Sequence, residues 1–137
     1  MARRKTVFGN TVYNITDKVV VSNAELLAIN TTPKVLLPAQ GANILTIPRR
    51  VILRHNFLTA AFGTNTTLEL KHGSKIVDLA SSILTSSATE IDIEDLAGLW
   101  DDVAADTALE LLVKTGNPFN GGGSLDAWLM YETIDVS

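Results

Sequence analysis

Apolar and polar residues alternate along this chain in short runs separated by turn-forming residues. In TTLELKHG, Leu68 and Leu70 fall on one side of an extended backbone, Glu69 and Lys71 on the other. ALELLVK opposes Leu109, Leu111 and Val113 to Glu110 and Lys114. Near the C-terminus, Leu125, Ala127, Leu129 and Tyr131 share a side opposite Asp126, Trp128, Met130 and Glu132. IPRRVILRHNF gives a longer candidate strand, with Val51, Leu53 and His55 against Ile52 and Arg54. KVVVS and PKVLLPA are shorter and continuously apolar, a pattern that predicts strands covered on both faces.

Between these runs stand Pro33, Pro38, Gly41, Pro48, Gly63, Gly73, Gly116, Pro118 and Gly121. Frequent breakers between short strands predict an all-β, jelly-roll-like two-sheet β-sandwich; a closed barrel satisfies the same pattern. Two stretches read as short helices. NAELLA, Asn23 to Ala28, opens on a capping residue and an early Glu. EDLAGLWDDVA spaces Leu96, Leu99, Trp100 and Val103 as one helical face, with Gly98 weakening it. Residues 1–17 are polar and weakly patterned, which predicts an N-terminal arm ahead of a β-sandwich domain spanning 18–137.

Length and composition then narrow the chemistry. A chain of 137 residues with 46% hydrophobic and 19% charged residues suits one globular domain with a buried core. No apolar run reaches the ~18 residues of a membrane span, and MARRKTVFGN lacks a signal peptide's apolar stretch. The chain is therefore expected to act where it is made. With no cysteine, disulfides, iron–sulfur clusters and thiolate zinc sites are excluded, and only His55 and His72 could supply imidazole ligands. No cofactor is expected.

The net charge of −4 is unevenly spread. Residues 1–56 hold eight Lys/Arg against two acids, whereas 57–137 hold three Lys against thirteen acids. Such a split steers partners or favours head-to-tail contact between copies, unless interleaving strands average it out. Glu90, Asp92, Glu94, Asp95, Asp101, Asp102 and Asp106 form an acidic run without EF-hand spacing. It reads as a solvated loop or a face for a basic partner before it reads as a cation site.

The glycine run in NPFNGGGSLDAW could cradle a phosphate. No lysine follows it, however, and the residues after it alternate as a strand instead of opening a helix. It reads as a connection between antiparallel strands, its glycines supplying positive φ. His55 and His72 fall near strand ends, where a hydrogen-bonded surface histidine is the ordinary case, and nothing resembles a nucleophile elbow. Paired carboxylates for glycoside hydrolysis have little room for a cleft here. The residues point away from an enzyme. Asn14, Asn30 and Asn65 head N-x-[ST] triplets, of little meaning without secretion.

Arg3, Arg4, Lys5, Arg49, Arg50 and Arg54 could meet phosphates, but interleaved aromatics are missing and the balance is acidic. Pairing with acidic protein surfaces accounts for them without nucleic acid. Trp100, Trp128, Phe119 and Tyr131 are candidates for core or subunit contacts.

One run carries a resemblance. SNAELLAINTTPKVLLPAQGANILTIPRRVIL contains Leu26-Leu27-Ala28-Ile29, then Thr32-Pro33, then Val35-Leu36-Leu37, then Pro38-Ala39-Gln40-Gly41. Further on come Gly121-Gly122-Gly123, an alternating strand from Leu125 to Met130, and Tyr131. Together they resemble the β-sandwich or jelly-roll capsid decoration (cement) proteins of tailed bacteriophages, with Ile29 and Gln40 departing from the pattern. Residues 54–108 lie outside it. The resemblance implies a structural virion protein, made in the host cytoplasm, sitting as a homotrimer on the capsid surface against the major capsid protein. Neither nucleic acid nor membrane is an expected partner. Arg3, Arg4, Lys5, Arg49, Arg50 and Phe119 are the candidate partner-binding residues. A tail- or fibre-associated, carbohydrate- or receptor-binding sandwich is the main alternative, and a small cupin-like enzyme a lesser one.

Overall fold

The computed structural model describes residues 4–8, 11–96, 98–100 and 104–137, and side chains from residue 14 onward. These form ten strands: β1 (Arg4–Phe8), β2 (Thr11–Ile15), β3 (Val19–Val21), β4 (Lys34–Leu37), β5 (Ile44–Ala60), β6 (Leu68–His72), β7 (Lys75–Asp78), β8 (Glu90–Asp95), β9 (Leu109–Val113) and β10 (Gly122–Asp135). One antiparallel sheet runs β1-β2-β10-β5-β8, with β3 also on β10; the other runs β4-β9-β6-β7. Without the β1–β2 hairpin, the strand orders are β3-β10-β5-β8 and β4-β9-β6-β7. From β3 to β10, every successive pair of strands except the β6–β7 hairpin is split between the sheets, in two interlocked Greek keys, the jelly-roll arrangement. The expected all-β sandwich is the fold of this chain.

The alternation seen in the sequence builds the core. Val51, Leu53, Leu125, Ala127, Leu129 and Tyr131 from the larger sheet are fully buried, as are Leu68, Leu70, Leu109, Leu111 and Val113 from the smaller. Each such large apolar side chain withdrawn from water contributes ~1.5–3 kcal/mol toward folding. KVVVS and PKVLLPA differ from expectation: Val20 and Val35 are exposed, so these strands are covered on one face only.

Residues 1–17 were expected to form an arm. Their described part is the β1–β2 hairpin, which lies along β10, with Ile15 opposite Met130 and Thr11 opposite Ile134. Beyond it Thr16 keeps contact, its N–H donating to the Leu129 carbonyl and its hydroxyl accepting from the Leu129 N–H, both at 3.0 Å.

The first helix is α1 (Asn23–Leu26), and its cap is Ser22, one residue before the Asn that the sequence suggested. Ser22 Oγ accepts from Glu25 N–H at 3.1 Å while Glu25 Oε1 accepts from Ser22 N–H at 3.0 Å, a reciprocal capping box. The second predicted helix is overturned where it is described. Glu94 and Asp95 belong to β8, Gly98 takes φ 81°, and Leu99 is exposed while Leu96 and Trp100 are buried. A left-handed residue at its centre breaks the apparent helical spacing. Val103 lies outside the described residues.

Candidate interaction face and groove

Two features of the larger sheet stand out. The first begins with β8, whose amphipathicity is inverted. Its partners on the core side of β5 pair Val51 with Glu94, Leu53 with Asp92 and His55 with Glu90. The acids of β8 thus lie on the core side of the sheet, at its open margin, and the isoleucines point outward. Ile91 and Ile93 are 66% and 58% exposed. Sheets with one solvated face ordinarily show the reverse.

Cross-strand register places these isoleucines in a patch. Trp128 pairs with Ile52, and Ile52 with Ile93, so three apolar side chains form one row across β10, β5 and β8. The flanking row on one side is Ile15–Met130–Arg50–Asp95, and on the other Val20–Asp126–Arg54–Ile91. Arg50 and Arg54 therefore bracket the apolar row, two residues before and two after Ile52 on the same strand. Both are exposed, with no ion-pair partner among the described residues.

Asp95, opposite Arg50 at the β8 margin, is exposed, whereas the acids that β10 contributes to this face are sunk beneath it. Asp126 is buried and accepts from Asn56 Nδ2 at 3.0 Å. Glu132 is buried and paired with the Arg49 guanidinium. A bulge in β5 produces that pairing: Met130 faces Arg50 while Tyr131 faces Pro48, leaving Arg49 as the extra residue. Pro48 tolerates this position because a bulge relieves the ladder of one donor. What reaches solvent at the centre of this face is apolar surface rimmed by guanidinium groups.

The second feature is a groove of about 590 Å³ at one end of the sandwich. Val20, Ser22 and Asn23 form one wall, Asn56 to Thr59 another, and Gly121 to Ser124 the floor. Its lining carries no formal charge. Asn23 Nδ2 donates to the Gly121 carbonyl at 3.2 Å, while Asn23 Oδ1 is buried without a protein partner. Asn56 Nδ2 also donates to Ser124 Oγ at 3.2 Å.

The glycine run builds this floor by close approach. Gly122 and Gly123 already belong to β10, so the run starts a strand. A Cβ at Gly121 would overlap the Phe62 ring, and one at Gly122 would overlap Thr59 Oγ1. The left-handed residues of the preceding connection are Thr115 (φ 81°) and Asn120 (φ 61°).

The remaining candidates are dispersed. Arg3 lies outside the described residues, as do the side chains of Arg4 and Lys5. Phe119 is 61% exposed on a loop held by reciprocal backbone hydrogen bonds to Gly63, at 2.7 and 2.9 Å. Trp100 and Tyr131 are core residues and Trp128 is half-buried on the outer face.

Both histidines are buried, contrary to the surface role their positions suggested. His55 packs against the rings of Phe62 and Phe57, with centroids 5.9 and 6.3 Å away; His72 meets Trp100 edge-on at 5.9 Å. Burial holds both imidazoles below their ordinary pKa, more than neighbouring backbone groups and, for His55, Glu90 raise it. The acidic run is spread over β8 and a turn at Asp106, with Asp101 and Asp102 outside the described residues. Among the described residues no cluster of three His, Asp or Glu side chains could hold a metal ion.

Comparison with known proteins gives no match. No family model, no curated protein and no solved structure matches the chain.

The outer-face patch escaped sequence reading because β8 was read as part of an acidic loop and helix. The signal was present in EIDIED, a period-two alternation with β-branched residues.

Proposed function

We propose that this chain is a structural virion protein of a tailed bacteriophage, decorating and stabilising the capsid exterior by binding the major capsid protein as a homotrimer. It works without an active site, is made in the host cytoplasm and resides on the capsid surface. The observation that carries the reading is the outward apolar row Trp128–Ile52–Ile93 on a jelly-roll sandwich. Exposed apolar residues in contiguous rows mark surfaces that other proteins cover. A rigid sandwich that presents such a face and extends its sheet with a hairpin has what a cement protein needs, and threefold attachment adds avidity. The sequence resemblance points the same way.

The test is direct. Purified protein added to heads lacking decoration should co-sediment with them and raise their resistance to heat or chelation. Heads that neither bind it nor gain stability would overturn the reading.

The uncharged groove favours a second reading, a carbohydrate-binding module on a tail or fibre. Asn23, Asn56 and Ser124 offer neutral hydrogen-bonding groups beside Phe57, a combination suited to a hydroxyl-rich ligand. A glycan array with the full chain decides it: saccharide binding abolished by Asn23→Ala supports the module, and a blank array rejects it.

A further inference from the structure

We infer that copies of this chain assemble by seating the open edge of β8 from one copy on the arginine-rimmed outer face of β5 and β10 of the next. This rests on the proposal that the protein is a homo-oligomer and names the surfaces that would make it one. Among the described residues β8 pairs only with β5 and ends the sheet, so its other side presents open backbone carbonyls, while the Ile93 N–H donates to Asp92 Oδ1 at 3.1 Å.

The same edge carries Ile91 and Ile93 toward one side and Glu90, Asp92 and Glu94 toward the other. The receiving face carries the complement: apolar Trp128, Ile52 and Met130, bracketed by Arg50 and Arg54. With the edge standing on this face, backbone toward it, the isoleucines of one flank lie against the apolar row and the carboxylates of the other flank reach toward a guanidinium group. The same guanidinium N–H groups can donate to the open carbonyls of β8.

Charge decides against the alternative of zipping two β8 edges together. Such pairing would bring two strands together that each carry Glu90, Asp92, Glu94 and Asp95, and like charges facing across strands are destabilising. Inward-pointing charges on an edge strand are also a recognised guard against edge-to-edge pairing. An edge-on-face contact instead joins two different surfaces, and contacts of that type form a ring when the rotation between copies closes and an open filament when it does not.

The experiment is a charge swap read by sedimentation equilibrium on the full chain at micromolar concentration. Wild type is expected at three times the 14.7 kDa chain mass. Arg50→Glu with Arg54→Glu should weaken assembly on the order of tenfold or more, as should Glu90→Lys with Asp92→Lys. The chain carrying all four substitutions should recover assembly, which a merely structural role for these residues would not give. Ile93→Asp should give monomers, and Ile76→Asp, on the exposed surface of the other sheet, should leave assembly unchanged. Circular dichroism confirms that each variant is folded.

A monomeric wild type, or pair variants that assemble as wild type does, overturns the inference. Failure of the fourfold variant to recover while its parents remain folded overturns it too. A dimer with the same charge-swap behaviour supports the contact and overturns the trimer of the proposed function. Head binding by assembly-deficient variants separates attachment to the capsid from contact between copies.

Discussion

Gly123 lies against the backbone carbonyl of Asn56, and a Cβ at this position would stand 2.6 Å from that oxygen and 3.1 Å from His55 Nε2. The glycine run is therefore a packing requirement where β10 passes the bulged end of β5. Gly123→Ala must push two central strands apart. It should cost ~1–3 kcal/mol, the usual penalty for overpacking, and lower the melting temperature by several degrees. Thermal denaturation followed by circular dichroism measures it, and an unchanged midpoint would show that the strands yield freely. Shortening the run by one residue should be worse, because it moves the register of β10.

Much of this fold was legible because period-two alternation survives wherever a strand has one buried face. Leu68/Leu70, Leu109/Leu111 and Leu125 to Tyr131 were read correctly for that reason. The failures share a cause. Val20 and Val35 are apolar yet exposed, and β8 wears its isoleucines outward, so hydrophobicity there reports something other than the core. Leu96, Leu99 and Trp100 mimic helical spacing, while the left-handed Gly98 between them cannot be read from periodicity. The site was less legible still. Arg50 and Arg54 were visible as charges, but only the pairing of β5 with β8 and β10 shows that they bracket an apolar row.

The outward isoleucines and the inward leucines separate surface from core in a measurable way. Leu53 is fully buried opposite Ala127, and Leu53→Ala should destabilise the chain by ~2–5 kcal/mol. Ile93→Ala removes a side chain that is 58% exposed and should change the stability of the isolated chain by no more than ~0.5 kcal/mol. Urea denaturation at a concentration too low for self-association compares the two. A loss at Ile93 comparable to that at Leu53 would mean that the residue is part of the core.

The buried histidines set an acid limit on stability. Both imidazoles titrate below the ordinary value of 6.5 in the folded chain because burial penalises the cation. Below about pH 6.5 the unfolded chain takes up protons that the folded chain resists, so unfolding gains free energy as the pH falls. Above that range both forms are neutral and the contribution vanishes. Melting temperature should be flat with respect to these groups from pH 8 to 7 and fall from about 6.5 downward. Glu69, raised by burial and by its hydrogen bond with Asp78, works in the opposite direction, its contribution present at low pH and lost as the pH rises through its folded value. His55→Leu and His72→Leu together should flatten the slope between pH 6.5 and 5.5; an unchanged slope would assign the acid sensitivity elsewhere.

The pairing of Arg49 with Glu132 ties the β5 bulge to the outer face of β10, and its two partners are unequally exposed. The Glu132 side chain is almost wholly buried, whereas Arg49 is 43% exposed. Removing the cation leaves a carboxylate under the sheet surface with its main partner gone, so Arg49→Ala should cost ~1–3 kcal/mol. Removing both charges should cost less than removing the arginine alone, because Glu132→Gln leaves no ion to desolvate. A double-mutant cycle with Arg49→Ala and Glu132→Gln, read by urea denaturation, measures the coupling. It should be favourable in the wild type and weaken only modestly with salt, since one partner is buried and poorly screened. Strictly additive single and double variants would mean that the bulge is held by Pro48 and the strand ladder alone.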